Sequence, residues 1–564
     1  MIARGQNFKQ IPVDVVGSSS FGRYPKLGVQ KTYNMFQSDS GLVPYAGYKT
    51  AIPASLFHSG TTGRALHTST KLKKLIQVVD DRVYLVDITF NQQKLSFSGI
   101  QVIQIGTLLT RSGVVYIAEN NKPQILFSDN ISLYLYDPLA SPQFKVITTN
   151  FVPGFIDFHD TYFIAAATQD QNYTPPATNA WRLSLSNDGS MWPSGASNLG
   201  LLQTKSDITQ AVIRVPSRGN SIYVMGSTVT EPWFDLGLQL FPYQRQNSVN
   251  FDYGCLNPAT IAATDEIVAW LGINEKSGPV IVYSTGGMPE KITTDGIDFL
   301  FSELTNPSDS QAFIYRQDGH LFYHINFYTD NLSLFYDFNT KKFYHASDQD
   351  LNYFIANEVA FFKNQYYFTT QKNGNLYAFD TSFTTYDGKE IPRIRICSNA
   401  RLPSQEYFVA NDVGFTIETG ETDYQQQDLG PILLITEDGE NIITEGSAIN
   451  LLTENGDFII TEDGLFDLIS EQSDAGDFSF LQSEQDANTG TSNLSLPRVD
   501  LSISIDGGAS FSSDMPYNLN PIGQRRNRLM WWQLGLANDF VCQFKFWGLG
   551  RFVVAMDGVL NIRQ

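Results

Sequence analysis

Cations, cysteines and long apolar runs are what this 564-residue chain has least of. Its 38 Lys and Arg face 58 Asp and Glu, a formal charge of −20 at pH 7. That is the opposite of the basic footprint that nucleic-acid or anionic-membrane binding needs, so tight phosphate binding is disfavoured. The three cysteines, Cys255, Cys397 and Cys542, are odd in number, far apart in sequence and in no C-x-x-C pair. That argues against both a disulfide framework and a zinc site, and the three read as packed thiols. No apolar run reaches the roughly eighteen residues of a membrane helix, and the opening MIARGQNFKQIPVDVV lacks the apolar core of a signal peptide. A soluble chain made in the cytoplasm and left unprocessed is expected.

Catalytic signatures are absent too. There is no H-E-x-x-H, no G-x-x-x-x-G-K-[ST], no G-x-G-x-x-G after a strand and no G-x-S-x-G. The motifs that place a metal, a phosphate or a serine nucleophile are therefore missing, and neither cofactor nor metal is expected. His320 and His324 have the spacing of a helical metal pair but lie in an alternating pattern, where four strand residues span roughly 13 Å. His58, His67, His159 and His345 have no partner nearby in sequence and read as ordinary core or surface histidines. No stretch sustains a helical apolar stripe beyond about a dozen residues, so helix is a minor component.

What is abundant is period two. Val83–Asp87, Ser221–Met225, Leu321–Ile325 and Asn375–Phe379 are short, β-branched or aromatic, and flanked by turn residues. Asp-Gly or Asn-Gly pairs begin at 188, 295, 318, 373, 387, 438, 455, 463, 506 and 557, the dipeptides that accept the positive φ of tight hairpins. An all-β chain of this length must hide many strand edges, and radial repetition into a β-propeller does so while tolerating irregular loops. The expected organisation is an N-terminal strand or arm over 1–54 and a propeller over 55–415. At roughly 40 to 50 residues per blade that span holds about six to eight blades. An acidic repeat is inserted at 421–495, and a C-terminal β segment at 498–564 packs back on the body.

The insertion has its own character. LLITEDGE, NIITEGS, NLLTENGD, FIITEDGL and DLISEQS repeat two apolar residues, a Thr-Glu or Ser-Glu and a turn, with Thr or Ser at 436, 444, 453, 461 and 470. One short strand per unit gains a core only when units stack, as in a meander or a small solenoid. Residues 421–490 contain 17 Asp or Glu and no Lys or Arg, most of the excess charge. The turns do not spell D-x-[DN]-x-[DN]-G, so they read as solvated acidic turns rather than calcium loops.

Ser504-Ile-Asp506-Gly507-Gly508-Ala-Ser-Phe511 resembles the Asp-box of sialidase-like propellers, and Ser186-Asn-Asp188-Gly189-Ser-Met-Trp192 is a looser version. Such a box is a turn device in which the carboxylate accepts backbone N–H groups. It also motivates an alternative reading, a propeller glycan hydrolase or lectin acting on a host envelope, which needs two carboxylates about 5 to 10 Å apart. A free-standing adhesin with the acidic repeat as its tip is a third. The one dense basic cluster, Gln524-Arg525-Arg526-Asn527-Arg528, reads as an edge that pairs with carboxylates of the same fold or a neighbouring subunit rather than with DNA.

Several islands taken in order resemble the packaged-DNA stabilisation proteins of short-tailed bacteriophages (podoviruses), also called the tail hub or nozzle. They run from Tyr33-Asn34-Met35 and Leu42-Val43-Pro44-Tyr45-Ala46-Gly47-Tyr48 through Gly63–Leu66 and Val79–Tyr84 to Asp188 and Trp192. Next come Ile222–Gly237, which contains Glu231, Trp233 and Gly237, then Phe241–Tyr243, Gly254-Cys255, Asn257–Gly272 and Leu334–Asp337. The last joins Ile417–Gly420 to Ser502–Phe511, with Asp506, Gly507 and Gly508, then Gly523, Arg526, Trp532 and Gly535. The acidic repeat and Asn257-Pro-Ala-Thr depart from the family pattern. The resemblance implies a non-enzymatic propeller subunit of the virion tail, assembled in the host cytoplasm. Six copies ring the ejection channel below the portal and its adaptor, retain packaged DNA, carry tail spikes or fibres and meet a plug or needle protein. Double-stranded DNA passes without tight binding, and this chain alone inserts in no membrane. An acidic wall suits that role, because a surface poor in cations gains no counterion-release free energy from DNA.

Overall fold

The computed structural model describes residues 8–22, 30–39, 41–215, 217–238, 241–247, 249–419, 434–435, 441–444, 451–452, 497–519, 526–548 and 551–563. The described chain is almost entirely β, with a single α-helix, Asp295–Ser302, and three short 3-10 turns. No helix among the described residues is long and apolar enough to cross a membrane.

Seven antiparallel sheets follow one another along the chain as the blades of a propeller. Blade 1 comprises Gly63–Ser69, Lys74–Val79, Arg82–Asn91 and Ser96–Thr107, and blade 2 comprises Tyr116–Glu119, Ile125–Ser128, Leu133–Tyr136 and Phe144–Ile147. Blade 3 spans Phe151–His159 to Leu199–Leu201, blade 4 Thr209–Arg214 to Tyr243–Arg245, and blade 5 Gly254–Cys255 to Glu290–Lys291. Blade 6 runs from Ser310–Gln317 to Lys342–His345. Blade 7 has only three strands of its own, Ala356–Phe362, Gln365–Thr370 and Leu376–Asp380; its fourth is Gly47–Ile52, from the other end of the chain. The first strand of blade 7 also contacts the first strand of blade 1, which closes the ring.

Side chains of one blade cap backbone groups of the next, so the ring is stapled by hydrogen bonds as well as by apolar packing. Ser128 Oγ donates to Gly154 O (2.7 Å), Tyr323 OH to Thr260 O (2.9 Å), Asn326 Nδ2 to Ala356 O (2.6 Å) and Asn357 Nδ2 to Gly63 O (2.8 Å). The aromatic richness is spent here. Between blades 6 and 7, Tyr48, Phe354, Phe368 and Phe379 form one buried stack, with Phe368 and Phe379 centroids 4.4 Å apart. Wedges between radiating sheets widen outward, and large flat rings fill them at little rotamer cost.

The other strands form a second β layer pair, whose core gathers Val13, Phe415, Leu501, Trp531, Phe544 and Leu560. One of its sheets is built around Phe408–Thr419, which pairs with Arg526–Ala537 along one edge and with Gly558–Arg563 and Phe552–Val554 along the other. Its partner sheet is continuous with blade 6: Tyr33 bridges His345 in parallel, and Lys31–Tyr33 then pairs with Arg393–Ile396 and onward to Val541–Trp547 and Arg498–Ser504.

Three sequence expectations are corrected. The propeller's own strands end at Asp380 rather than near 415, because Arg393–Ile396 and Phe408–Thr419 find their ladder partners among C-terminal strands. Residues 1–54 are not a separate arm, since strands within them close blade 7, bridge blade 6 and pair with Gly558–Arg563. Asp295-Gly296 opens the α-helix instead of a hairpin; a Cβ at Gly296 would lie 1.7 Å from Phe21 O, so glycine there admits a crossing chain. Asp318-Gly319 and Asp387-Gly388 do turn hairpins, with φ of 50° and 83° and of 52° and 86°.

The chain divides into two compact units, residues 421–495 being the second. In that unit Leu434–Ile435, Asn441–Thr444 and Leu451–Leu452 pair antiparallel in sequence order, one short strand from each of three successive repeats. The rest of the acidic insertion, with its turns at 438, 455 and 463, lies outside the described residues.

Candidate functional site

The described residues among those singled out by sequence bond and pack within the fold. Asn34 adopts a left-handed backbone (φ 53°), is fully buried, and holds three segments together. Its Nδ2 donates to Ser347 Oγ (3.0 Å) and Pro392 O (2.9 Å), and its Oδ1 accepts from Ser347 N (2.9 Å). Pro44 O accepts from Gln317 Nε2 (3.0 Å). A Cβ on Gly47 would fall 2.2 Å from Phe383 O, so only glycine lets the closing strand of blade 7 lie against that loop.

Glu231 is the most heavily engaged of the set. Fully buried in blade 4, its Oε1 accepts from Gln203 N (2.8 Å), Thr204 N (2.6 Å) and Thr204 Oγ1 (2.6 Å), pinning the chain that leaves blade 3. Its Oε2 accepts from Trp233 Nε1 (3.0 Å), and Arg245 Nη1 approaches Oε1 at 3.4 Å. Trp233 in turn packs edge-on to Trp181 at 5.4 Å. Gly237, at φ 61°, turns the chain where Asp235 Oδ1 accepts its N–H (2.9 Å).

Both Asp-box candidates are turn devices. Asp188 Oδ1 accepts from Ser190 N (2.9 Å), while Trp192 Nε1 donates to Gly189 O (3.0 Å) and its ring lies 5.6 Å from Phe151. Asp506 accepts from Ser504 Oγ and Ser510 Oγ (2.6 Å each) and from the N–H of Ala509 and Ser510 (3.0 Å each). Those hydroxyl and backbone donors hold its carboxyl well below the usual range. Gly507 and Gly508 supply φ of 75° and 93°. The Asp506 turn joins Arg498–Ser504 to Met515–Asn518 and so belongs to the β layer pair, not to a blade.

Gly523 lies outside the described residues. Arg526 sits 3.8 Å from Glu418 on the paired strand, an exposed ion pair. Gly535 (φ 95°) stands at an irregularity opposite Ala410, and Trp532 on the same strand is 62% exposed.

All three cysteines are buried free thiols, and burial pushes each thiol's pKa up. Cys397 and Cys542, remote in sequence, are neighbours across a ladder, Cys397 N donating to Cys542 O (2.9 Å). His320 bonds Asp337 Oδ2 (2.9 Å) and Ser38 Oγ (3.1 Å). His324 stacks on Phe313 at 4.6 Å, and burial lowers its pKa to about 3. Among the described residues no group of three His, Cys, Asp or Glu is placed to hold a metal ion.

Two sites were not found by sequence. A cavity of about 350 Å³ lies where Pro44–Ala46 and Gln317 meet Arg393, Glu418 and Arg551–Val553. A larger one, about 920 Å³, is the channel enclosed by the inner strands of six blades. In it Glu119 accepts from Ser69 Oγ (2.7 Å), Thr70 N (3.0 Å) and Lys71 N (3.1 Å) of blade 1. Burial opposes ionisation of Glu119, yet His67, Ser69 and these amides outweigh it and hold the carboxyl at about 2. Asp157 Oδ2 accepts from Arg214 N (2.9 Å) across the next interface. Glu358 also faces the channel, and burial lifts its carboxyl to about 8. The only hint in the sequence is an acid alone in the apolar run Ala356-Asn-Glu-Val-Ala-Phe-Phe362.

Residues 193–384, from the last strand of blade 3 through blade 7, match the family model described as Bacteriophage P22 Gp10, beta-propeller. That match supports a bacteriophage virion structural protein built on a propeller. No curated protein matches the chain. Among solved structures, virginiamycin B lyase from Staphylococcus aureus is similar over 59% of this chain and 99% of its own, at 10% identity and a TM-score of 0.39. The N-terminal domain of Nup159 is similar over 62% of this chain and 99% of its own, at 8% identity and a TM-score of 0.38. An ancestral GH74 enzyme is similar over 65% of this chain and 52% of its own, at 12% identity and a TM-score of 0.36. Likenesses of this order carry no activity across to this chain.

Proposed function

We propose that the protein is the tail nozzle, or hub, subunit of a short-tailed bacteriophage. In this reading six copies form a ring that extends the ejection channel below portal and adaptor, retains the packaged genome and anchors spikes or fibres. The observation that carries it is the coincidence of the phage propeller match over 193–384 with a chain whose family-motif residues, from Asn34 to Glu231, all serve as structural joints. The charge of −20 supports it further, because a conduit for a polyanion works best when its wall offers few cations to hold phosphate. Copies so charged must meet through apolar and hydrogen-bonded surfaces, with acidic faces turned to solvent or lumen and screened beyond roughly 8 to 10 Å. The Asp-boxes that motivated a glycan hydrolase or lectin are accounted for as turns.

Negative-stain imaging of the purified protein mixed with its portal–adaptor complex tests the proposal. Rings of six at the adaptor's distal face are expected. A protein that stays monomeric and never joins the adaptor overturns it, as does glycan cleavage lost at one defined carboxylate pair.

A further inference from the structure

Three of the described strands reach twelve residues, about twice the usual length: Ser96–Thr107, Phe408–Thr419 and Arg526–Ala537. Phe408–Thr419 is paired along both edges, but Ser96–Thr107 and Arg526–Ala537 are paired along one only, and among the described residues no strand lies beyond either. The other outer blade edges are short or covered. In blades 2 to 5 the outermost strands are two to four residues long, Lys31–Tyr33 bridges the edge of blade 6, and Thr385–Tyr386 bridges that of blade 7. Sheet proteins keep their edges short or covered to avoid stray pairing, so two long bare edges call for a partner.

Neither bare strand carries an acid. Ser96–Thr107 has no charged residue at all, and Arg526–Ala537 has only Arg526 and Arg528, at its start. Ladder register is regular over Gln101–Gln104 in the first and over Arg526–Trp532 in the second. Ile103 lies opposite Leu85, and Val146 on the outer strand of blade 2 lies opposite Tyr134; both Ile103 and Val146 are half-exposed. Leu85 and Tyr134 belong to one apolar cluster, so Ile103 and Val146 stand on the two walls of the cleft between blades 1 and 2. Phe144 occupies the same cleft, where a Cβ on Gly106 would fall 2.4 Å from its ring. On the other strand Trp531 is buried in the core of the layer pair, and its neighbour Trp532 therefore faces solvent.

The two bare edges do not pair with each other within the chain, and a second copy supplies each with the edge it lacks. Charge favours that occupant: copies of −20 repel one another, and these two strands bring no acid against an acid. An exposed indole is a common interface anchor, and the cleft offers it an apolar seat. We propose that the bare edge of Arg526–Ala537 in one copy pairs with the bare edge of Ser96–Thr107 in the next, with Trp532 entering the cleft between Ile103 and Val146. Main-chain hydrogen bonds then supply affinity, and the indole in its seat fixes register. Because the two halves differ, the contact is head-to-tail and repeats until a ring closes. The inference rests on the ring reading above and names its subunit contact.

Sedimentation velocity of the full-length protein tests it, with Ile103→Lys and Trp532→Lys as variants at exposed positions. The parent should associate on its own once salt screens its charge. Each variant, melting like the parent, should associate at least about tenfold more weakly and form no ring. Mixed in equal amounts, the two variants share one intact junction, so heterodimers and nothing larger are expected. In the unaltered protein, amide exchange along Ser96–Thr107 and Arg526–Ala537 should slow on assembly, a readout that does not depend on the variants folding. Four results would overturn the contact and leave the nozzle reading standing: a parent that rings on the adaptor but never associates alone, a folded variant that assembles like the parent, a mixture that forms rings or only monomers, and exchange unchanged along either strand. A parent that forms no ring even with the portal–adaptor complex overturns both.

Discussion

Glu231→Gln changes one oxygen to one nitrogen, and the surroundings of the side chain leave the amide no acceptable orientation. With its oxygen at the Oε1 position it still accepts from Gln203 N, Thr204 N and Thr204 Oγ1, but its NH₂ then faces the Trp233 Nε1–H. Flipped, it satisfies Trp233 and sets NH₂ against two backbone N–H groups. Either way a buried donor meets a donor, at about 1–3 kcal/mol for each unsatisfied group. The charge facing Arg245 is lost as well, a smaller loss because that guanidinium is 22% exposed. A total of roughly 2–4 kcal/mol follows, less than the 3–5 typical of breaking a fully buried ion pair. Urea unfolding followed by tryptophan fluorescence is well placed to read it, since Trp233 packs on Trp181 beside the perturbed bonds. A variant within about 0.5 kcal/mol of the parent would refute the reasoning, because surface changes have effects of that size.

Acid should destabilise the fold through its buried histidines. His324 and His345 each have their pKa lowered to about 3 by burial, whereas an unfolded histidine takes its proton near 6.5. Stability is therefore lost progressively as pH falls from about 6.5 towards 3, and His324→Phe, which keeps the ring stack, should flatten that limb in pH-dependent melting; an unchanged acid limb refutes the assignment. Glu119 adds a second loss, at lower pH, as acidification runs from about 4.5 down to 2. Gly47→Ala should cost about 1–3 kcal/mol by overpacking against Phe383 O, with hydrogen exchange rising first along Gly47–Ile52 and Leu376–Asp380. Deleting 421–495 and joining the flanking strands should leave a soluble body with unchanged melting; loss of soluble protein would show that the insertion supports its host.

Strand-rich architecture was readable in the sequence because period two and Asp-Gly turns are local signals, as at Asp318-Gly319 and Asp387-Gly388. Ladder partners separated by hundreds of residues leave no such mark. The pairing of Gly47–Ile52 with Leu376–Asp380 and of Tyr33 with His345 is a matter of topology, so the extents of the N-terminal arm and of the propeller were misjudged. Asp295-Gly296 misled for a similar reason: the dipeptide permits a hairpin, but the crossing of Phe21 decides for a helix start. Asn34 and Glu231 were picked out through family likeness, yet their roles as joints emerge only when Ser347, Pro392, Gln203 and Thr204 are brought to them. The channel lining, Glu358 included, belonged to no motif, because six blades far apart in sequence assemble it.

The strand Gly47–Ile52 has a consequence for biosynthesis. Its ladder partner Leu376–Asp380 leaves the ribosome more than three hundred residues after it, and Phe8–Val13 waits longer still for Gly558–Arg563. Throughout translation these early strands carry unpaired backbone edges. A fragment that lacks Gly558–Arg563 thus leaves the layer pair unfinished, with the edges of Phe8–Val13 and Phe408–Thr419 exposed and sticky.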